Sequence, residues 1–410
     1  MVIEIINTGS ELMLGFVLNT HQQWLCRELA GRGYIVSRQV SISDSAGDIK
    51  KAVTEALPRA NLIVTTGGLG PTSDDITRDM IAELFGKKLI EDASIVASIE
   101  KFFEVRKRPM PAKTRIQALV PEGAIVLPNA NGTAPGLVMQ TPNGWLVMLP
   151  GPPRELRPMF TDQVLPLLEK LLPKPPSFVC KVLKTTGVGE SAVEEKVEPL
   201  LAELFSKGLE IGYCARVGEV DVRLVGRGDN ASNLVADAEG IIRHKMGSFI
   251  FSDANENLET VIVRSLIERK QTLALAESCT GGFISNRITN VPGASAVFLA
   301  GLVTYANVAK RGFLGVNADS LTTHGAVSEV VAREMAEGAR NRVGSDFALS
   351  VTGIAGPSGG TPEKPVGTVF IGLARNGPTI IKQFRNNYDR ETFKFTTSQQ
   401  VLDLLRRELI

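Results

Sequence analysis

The chain has 410 residues, of which 43% are hydrophobic, so we expect two or three domains with enough apolar side chains to form their cores. Its 45 basic and 44 acidic residues leave a formal net charge of +1 without a block of like charge, which argues against a nucleic-acid or membrane partner. No run approaches the roughly 18 apolar residues of a membrane span, and the four scattered cysteines favour reduced thiols, so we expect a cytoplasmic protein without a signal peptide.

Strand and helix patterns alternate through the first part of the chain. The predicted strands are Val2–Ile6, Tyr34–Ile42, Asn61–Thr66 and Gly144–Leu149, and the predicted helices are Asn19–Arg32, Ala46–Leu57 and Asp74–Phe85. This alternation predicts parallel βαβ units in a doubly wound α/β sheet. A proline-rich stretch follows Leu172, so residues 1–172 are predicted to form the first domain.

A glycine-rich segment follows the third predicted strand and leads into a helix. Gly67, Gly68 and Gly70 permit tight turning and close approach of the backbone to a phosphate. The spacing is not G-x-G-x-x-G, so a dinucleotide fingerprint is not supported. The segment favours a different kind of phosphate site.

Three carboxylates come next, at the predicted helix start. Asp74, Asp75 and Asp79 can bind a divalent cation between phosphate groups. They can equally cap the helix and complement its dipole without any ligand. Both interpretations stay open from the residues alone.

Residues 177–252 are predicted to form a small second domain. Their strand and helix patterns follow the order βαββαβ, which is a split-βαβ arrangement. The Gly187-Val188-Gly189 loop lacks the GxxG spacing of an RNA-binding loop, and the next helix carries several glutamates that repel phosphates. We therefore expect a spacer between domains or subunits and no binding of nucleic acid.

Residues 257–410 are predicted to form a further α/β domain. The predicted strands are Thr272–Ala276, Val297–Thr304, Phe347–Thr352, Gly367–Ala374 and Thr379–Phe384, and the flanking helices are Leu258–Arg269 and Asp389–Leu409. Ser278 follows the first strand and precedes a helix start, where backbone N–H groups near Thr280, Gly281 and Gly282 can stabilise a negative charge. The nearest downstream base is Lys310, so this region favours acyl transfer or amide hydrolysis without a histidine triad.

Each of these residues also has an ordinary structural interpretation. A serine before a helix is commonly a cap, and a single lysine is commonly a solvated surface charge. Cys279 is a competing nucleophile, but no neighbouring group in the sequence identifies it as one. His324 lies beside a glycine and is expected to be structural.

Four segments in the last domain resemble the C-terminal domain of CinA-type proteins, the competence/damage-inducible family. They are residues 276–282, 303–307, 324–328 and 351–357, and they match in order. The resemblance implies a nicotinamide-nucleotide amidase, which converts nicotinamide mononucleotide and water to nicotinate mononucleotide and ammonia without a cofactor. By matching position it implies Ser278 as nucleophile, Lys310 as base and Tyr305 as their hydrogen-bonding partner. It also implies that Thr352 and Arg390 contact substrate.

The glycine-rich stretch from Gly353 to Gly360 adds to this interpretation. Glycines let the backbone approach an anionic group closely, and a ribose phosphate is the natural candidate.

The first domain resembles the molybdopterin-binding fold that molybdenum-cofactor enzymes share with the N-terminal domain of CinA-type proteins. The matching segments are residues 8–11, 19–20, 44, 65–79, 131–136 and 149–155. The resemblance implies a metal-dependent ADP-ribose pyrophosphatase, with the metal near Asp75 and Asp79. It places Glu11, Asn19 and Asp44 among the polar contacts.

The same family resemblance implies a KH-type middle domain and a homodimer. A competing hypothesis is a non-enzymatic protein, which binds a molybdopterin-like ligand or acts as a competence-linked adaptor. Turnover of nicotinamide mononucleotide separates the two hypotheses.

Overall fold

A six-stranded sheet forms the centre of residues 1–178 in the computed structural model, which describes residues 1–410. The internal contacts divide the chain into two units, Met1–Phe178 and Val179–Ile410. The strands of the first unit are β1 (Ile3–Thr8), β2 (Arg38–Ile42), β3 (Leu62–Thr66), β4 (Leu89–Glu91), β5 (Leu119–Pro121), β6 (Ile125–Leu127), β7 (Gly136–Thr141) and β8 (Gly144–Leu149). The sheet has the order β2-β1-β3-β8-β7-β6, and β4 pairs with β5 in a separate ribbon.

The first sheet is parallel on one side and antiparallel on the other. Strands β2, β1, β3 and β8 are parallel neighbours, whereas β7 and β6 continue the sheet in antiparallel pairing. Only Pro142 and Asn143 separate β7 from β8, and so short a connection can join only antiparallel strands. The predicted α/β sheet is confirmed, and its antiparallel edge is an addition that the sequence patterns did not predict.

Helices cover both faces of this sheet. They are α1 (Ser10–Met13), α2 (Thr20–Ala30), α3 (Ala46–Ala56), α4 (Thr77–Leu84), α5 (Ala93–Val105), α6 (Pro153–Met159) and α7 (Leu165–Leu171), with a 3-10 helix at Ala112–Ala118 and a π-helical turn at Phe160–Val164. Leu25 of α2 packs in the cluster that contains Ile5, whereas Ile81 of α4 packs in the cluster that contains Ile6. Because successive strand residues face opposite sides, β1 contributes to two separate cores.

Two predicted boundaries in this unit are wrong by several residues. The strand predicted from Tyr34 begins only at Arg38, because Tyr34 is buried and its N–H still bonds to Leu29 O at the end of α2. The helix predicted from Asp74 begins at Thr77, because residues 71–75 form a turn before it.

The second unit contains a four-stranded and a five-stranded sheet. Its strands are β9 (Phe178–Thr186), β10 (Glu210–Arg216), β11 (Glu219–Arg227), β12 (Ile250–Ser252), β13 (Leu273–Glu277), β14 (Phe298–Val303), β15 (Phe347–Gly353), β16 (Thr368–Arg375) and β17 (Gly377–Arg385). Its helices are α8 (Glu190–Ser206), α9 (Ala231–Met246), α10 (Leu258–Arg269), α11 (Phe283–Thr289), α12 (Asn307–Leu314), α13 (Ala318–His324), α14 (Glu329–Val343) and α15 (Arg390–Glu408), with a 3-10 turn at Ala294–Ala296. The predicted βαββαβ order of the middle segment is present.

The two sheets of this unit differ in pairing. The smaller sheet has the order β10-β11-β9-β12, and α8 and α9 supply its single hydrophobic core. The larger sheet has the order β14-β13-β15-β16-β17, in which β13 is parallel to both its neighbours. Helices α10, α11 and α15 pack on one of its faces and α14 packs on the other, so this part is a three-layer α/β sandwich. No helix in the structure is both long enough and apolar enough to span a membrane.

Candidate active site

Ser278 lies directly after β13, at the carboxyl end of three parallel strands. Its N–H bonds to Val351 O at 3.0 Å, which ties the residue to β15 although β13 itself ends at Glu277. The side chain lines a cavity of about 230 Å³ at this edge of the sheet. Such an edge is where α/β folds commonly bind ligands, because several loops converge there.

Lys310 is buried beside Ser278. Its Nζ lies 2.9 Å from Ser278 Oγ, and the residue is only 1% exposed. Nζ also donates to Thr304 O at 2.8 Å and to Tyr305 O at 3.3 Å. The two side chains that stand 32 positions apart in the sequence therefore meet in one cavity.

The surroundings of Lys310 favour an uncharged amine. Burial lowers the pKa of Lys310, and no carboxylate lies within ion-pair distance of its Nζ to offset the loss of solvent. A neutral amine has two hydrogens and one lone pair. The carbonyl oxygens of Thr304 and Tyr305 can accept both hydrogens, which leaves the lone pair for the proton of the Ser278 hydroxyl.

The side chain of Tyr305 is not placed as predicted. Its hydroxyl accepts a hydrogen bond from Arg390 at 2.9 Å and bonds to neither Ser278 nor Lys310. The residue is 60% exposed because it lies in the turn before α12, and only its backbone carbonyl reaches Lys310. Arg390 also donates to Gly356 O at 3.0 Å, so Tyr305 and Arg390 together line the cavity at an exposed edge.

The predicted anion-binding residues after Ser278 are not in the cavity lining. Gly282 N–H donates to Glu277 Oε2 at 3.0 Å, and the Thr280 hydroxyl donates to the same oxygen at 2.7 Å. Gly281 N–H bonds to Ser278 O, so neither glycine N–H is free for a substrate. The expectation of an anion site at Gly281 and Gly282 is therefore wrong, because the Glu277 carboxylate already occupies the start of α11, and Thr280 lies outside the cavity lining.

Glu277 is the residue that sequence analysis missed. It is fully buried and also accepts from Ser285 N–H and the Ser285 hydroxyl at 2.8 and 2.6 Å. The sequence did contain a sign of this role, since Glu277 places a carboxylate at the end of an apolar strand, directly before a helix start. The candidate donor for a negatively charged substrate oxygen is instead the backbone N–H of Cys279. This residue lines the cavity, and no carbonyl or carboxylate accepts from its N–H.

The remaining lining agrees in part with the sequence. Thr352 and Gly353 lie in the cavity wall, and the Thr352 hydroxyl donates to Ala326 O at 2.8 Å. Asn307 lies there too, although no sequence pattern singled it out. Burial raises the pKa of Cys279 to about 12, so the thiolate that nucleophilic attack requires is not formed near neutral pH.

A second cavity, of about 370 Å³, lies in the first unit at the carboxyl ends of β1, β3 and β8. Most of the predicted residues line it: Glu11, Asp44, Gly67, Gly68, Gly70 and Asp75. Asp74 and Glu155 also line it, and no lysine or arginine does. The cavity is therefore acidic.

The glycines of this cavity have a packing role of their own. A Cβ on Gly68 would overlap the Thr77 side chain, and a Cβ on Gly70 would overlap the Asp75 carboxylate. The loop thus packs against the start of α4 at distances that only glycine permits. Close approach to a phosphate is not needed to explain these residues.

Two predicted residues of this site lie elsewhere. Asn19 caps α2 by accepting from Gln22 N–H at 3.1 Å, and it does not line the cavity. Asp79 is drawn into an ion pair with Arg78 at 2.7 Å, whereas Asp75 accepts from Thr72 N–H at 2.9 Å. Asp75 and Asp79 therefore do not form the predicted pair of metal ligands. No group of three or more His, Cys, Asp or Glu side chains in the structure is arranged to hold a metal ion.

Glu155 stands out among the acidic residues of this cavity. It is 8% exposed, and burial raises the pKa of its carboxyl group, while a hydrogen bond from Asn129 at 2.8 Å opposes that rise. A carboxyl group with a raised pKa can donate a proton nearer neutral pH than an exposed one can.

Comparison with known proteins agrees with the arrangement of segments in this chain. A family model described as "CinA C-terminal domain" matches residues 255–409, "Damage-inducible protein CinA KH domain" matches 180–252, and "Probable molybdopterin binding domain" matches 4–170. A CinA-like protein of Akkermansia muciniphila is 44% identical over 99% of this chain and 98% of its own length. The chain belongs to the CinA family. The predicted fold class, with a molybdopterin-binding-like first domain and a KH-like middle domain, is confirmed.

Other relatives and solved structures are similar as well. A CinA-like protein of Kosmotoga olearia is 42% identical over 100% of this chain and 99% of its own length. The crystal structure of the competence/damage inducible protein CihA from Agrobacterium tumefaciens is 41% identical, covers 37% of this chain and 95% of its own, and has a TM-score of 0.35.

Proposed function

We propose that this CinA-type protein hydrolyses the carboxamide of nicotinamide mononucleotide, with Ser278 as nucleophile and Lys310 as base. The observation that carries the proposal is the 2.9 Å distance between the Lys310 amine and the Ser278 hydroxyl. The amine is buried and has no carboxylate as an ion-pair partner. The cavity is lined by two basic side chains, Lys310 and Arg390, and by no carboxylate, which suits a substrate that carries a phosphate.

The reaction follows from the contacts of the two residues. Ser278 Oγ attacks the carboxamide carbon while its proton passes to Lys310 Nζ. The oxyanion of the tetrahedral intermediate lies near Cys279 N–H, and one such donor typically lowers the barrier by about 3 kcal/mol. The C–N bond then breaks, and Lys310 returns its proton to the leaving nitrogen, so that ammonia departs. Water, deprotonated by Lys310, hydrolyses the acyl ester and releases the nicotinate product.

The experiment is ammonia release from nicotinamide mononucleotide by the full chain. Ser278→Ala is expected to lower kcat by at least about a thousandfold. Ser320→Ala is the matched control, because Ser320 bonds to Glu334 outside the cavity. Full activity in Ser278→Ala would refute the assignment, and an inactive wild type would favour the adaptor hypothesis.

A second activity, hydrolysis of the diphosphate of ADP-ribose, is proposed for the acidic cavity. Five carboxylates line it, those of Glu11, Asp44, Asp74, Asp75 and Glu155. A diphosphate among these groups is repelled unless a divalent cation binds with it, which is consistent with a metal-dependent activity. Asp79 is not among these carboxylates, because it is paired with Arg78 outside the cavity.

ADP-ribose turnover with and without a chelator tests the second activity. Asp75→Asn is expected to lower turnover strongly while amidase activity stays unchanged, because Asp75 lies in the other unit. Asp162→Asn is the control, since Asp162 lies outside the cavity. Undiminished turnover in Asp75→Asn with the chelator present would remove both the residue and the metal from the proposal.

A further inference from the structure

One cavity in the second unit belongs to neither candidate active site. It has a volume of about 700 Å³ and lies between the smaller sheet and α15, lined by residues of both the middle and the last segment. That volume is within the range of cavities that bind cofactor-sized molecules. None of the residues around Ser278 and Lys310 contributes to it.

One end of this cavity is suited to an anion. The loop Gly187–Gly189 and the first residue of α8 are in the lining, and Gly189 provides no side-chain cap for this 17-residue helix. The N–H groups of the first turn have no acceptor before Val193, which bonds to Gly189 O. The ion pair of Arg407 and Asp403 approaches the same loop: a Cβ on Gly187 would lie 3.3 Å from the Arg407 guanidinium and 3.5 Å from the Asp403 carboxylate.

Two of the three carboxylates in the lining are neutralised by basic side chains. Asp403 is already paired with Arg407 at 2.7 Å, and the carboxylate of Glu219 is held by Lys184 at 3.5 Å. Glu190 has no partner and is exposed, so it is the one carboxylate that opposes an anion.

A buried hydroxyl in the wall lacks a hydrogen-bond partner. Thr396 of α15 is only 9% exposed, lines the cavity, and its Oγ1 has neither a donor nor an acceptor in contact. Buried polar groups in folded proteins are rarely left unpaired. This is an observation independent of the start of α8, and it indicates a polar ligand atom at that wall.

The remaining wall is apolar and partly aromatic. Val188, Phe384, Tyr388 and Leu404 are in the lining. Tyr388 is 55% exposed, so its ring is available to a planar ligand. An aromatic surface beside an anion-binding helix start is what a nucleotide needs for its base and its phosphate.

We propose that this cavity binds a nucleoside monophosphate. The phosphate is held by the start of α8 and Arg407, the base lies against Tyr388 and Phe384, and the Thr396 hydroxyl forms its missing hydrogen bond with the ligand. The proposal does not depend on either proposed activity, because its residues are in neither of those cavities.

Photoaffinity labelling of the full chain with 8-azidoadenosine 5′-monophosphate tests the site. We expect crosslinks, assigned by tandem mass spectrometry, within residues 186–190 and 396–407, and we expect excess adenosine monophosphate to suppress them. Labels confined to residues of the two other cavities would overturn the proposal.

Two substitutions with opposite expected effects sharpen the test. Thr396→Val keeps the side-chain shape and removes the hydroxyl, so labelling at the cavity should need about fivefold more probe. Glu190→Gln removes the opposing charge at an exposed position and should lower the required probe concentration by about twofold to fivefold. Lys245→Gln, an exposed site on α9, is the control. Labelling that neither Thr396→Val nor Glu190→Gln changes would contradict the assignment.

Discussion

The two candidate active sites occupy equivalent places in two different sheets and have opposite charge. Each lies at the carboxyl ends of parallel strands, beside the start of a helix. The cavity of the last domain is lined by Lys310 and Arg390 without a carboxylate, whereas the cavity of the first unit is lined by five carboxylates without a basic residue. The position in the fold therefore indicates where a ligand binds, and the side chains decide which ligand it is.

The helix starts at these two cavities also differ. In the last domain the Glu277 carboxylate accepts from N–H groups at the start of α11. In the first unit no side chain caps α4. Sequence analysis predicted an anion site at the start of α11, and at the start of α4 it left open whether the aspartates bind a cation or cap the helix. At the start of α11 the chain itself supplies the anion, so these N–H groups are not available to a ligand.

Removing the Lys310 amine should have the largest effect on the basic cavity. Lys310→Met keeps the length of the side chain but provides no base, so we expect kcat for ammonia release to fall by about a thousandfold or more. The measurement is steady-state release from nicotinamide mononucleotide.

The neighbouring residue provides a matched control for this change. Arg311→Met removes an exposed positive charge one residue further along α12 and should leave kcat unchanged. An equal fall in kcat in both variants would mean that activity depends on the intact structure of helix α12 and not on the amine of Lys310. Turnover at the acidic cavity should not respond to either substitution.

The sequence was sufficient to predict that Ser278 and Lys310 meet, and insufficient for the groups around them. Ser278 is identified by a strand end and a helix start, and Lys310 by its position in the matching family motifs. The partners of Glu277 and the direction of the Tyr305 side chain depend on how the loops pack, which no local pattern encodes. Likewise, Arg78 removes Asp79 from the acidic cavity through a contact that the spacing of carboxylates does not reveal.

The fold prediction was incomplete for a related reason. The patterns predicted the parallel strands, since each is a short apolar run between helices. They left out residues 86–143, which contain the 13-residue helix α5 as well as several short elements. Strands such as β6 and the 3-10 helix have too few residues to show a period.

Removing the Arg390 guanidinium should weaken binding of the phosphate. Arg390 lines the basic cavity and is held by Tyr305 and Gly356 O, so its guanidinium is positioned for a charged substrate group. Arg390→Ala is expected to raise KM for nicotinamide mononucleotide by about tenfold to a hundredfold, with a smaller change in kcat.

Nicotinamide riboside, which lacks the phosphate, is the control substrate for this variant. Its kcat/KM should be nearly the same in wild type and Arg390→Ala. If both substrates lose activity equally, Arg390 supports the shape of the cavity and does not bind the phosphate.

The pH dependence of the proposed amidase activity depends on the protonation of Lys310. Burial lowers the pKa of this amine, so the proton is lost at a lower pH than in an exposed lysine. Because the protonated form cannot accept the serine proton, kcat/KM should rise about tenfold per pH unit below that pKa and level off above it. A rate that falls as the pH rises from about 6 to 9 would exclude a neutral lysine as the base.

The Glu277 cap should affect stability more than chemistry. In wild type both carboxylate oxygens of Glu277 accept hydrogen bonds, from Thr280, Gly282 and Ser285. Glu277→Gln keeps only one accepting oxygen and replaces the other with an NH2 group, which cannot accept. We expect the free energy of unfolding to fall by about 2 kcal/mol, which lowers Tm of the second unit by about 4–8 °C in calorimetry.

A glutamate at the start of another helix separates this effect from the loss of a charge. Glu329→Gln removes an exposed carboxylate at the start of α14, where it pairs with Arg333 at 2.9 Å, and should change Tm by less than about 1 °C. If Glu277→Gln is equally mild, the start of α11 does not need its internal anion. The presence of a side-chain cap at α11 and its absence at α4 would then not be an energetic difference between the two cavities.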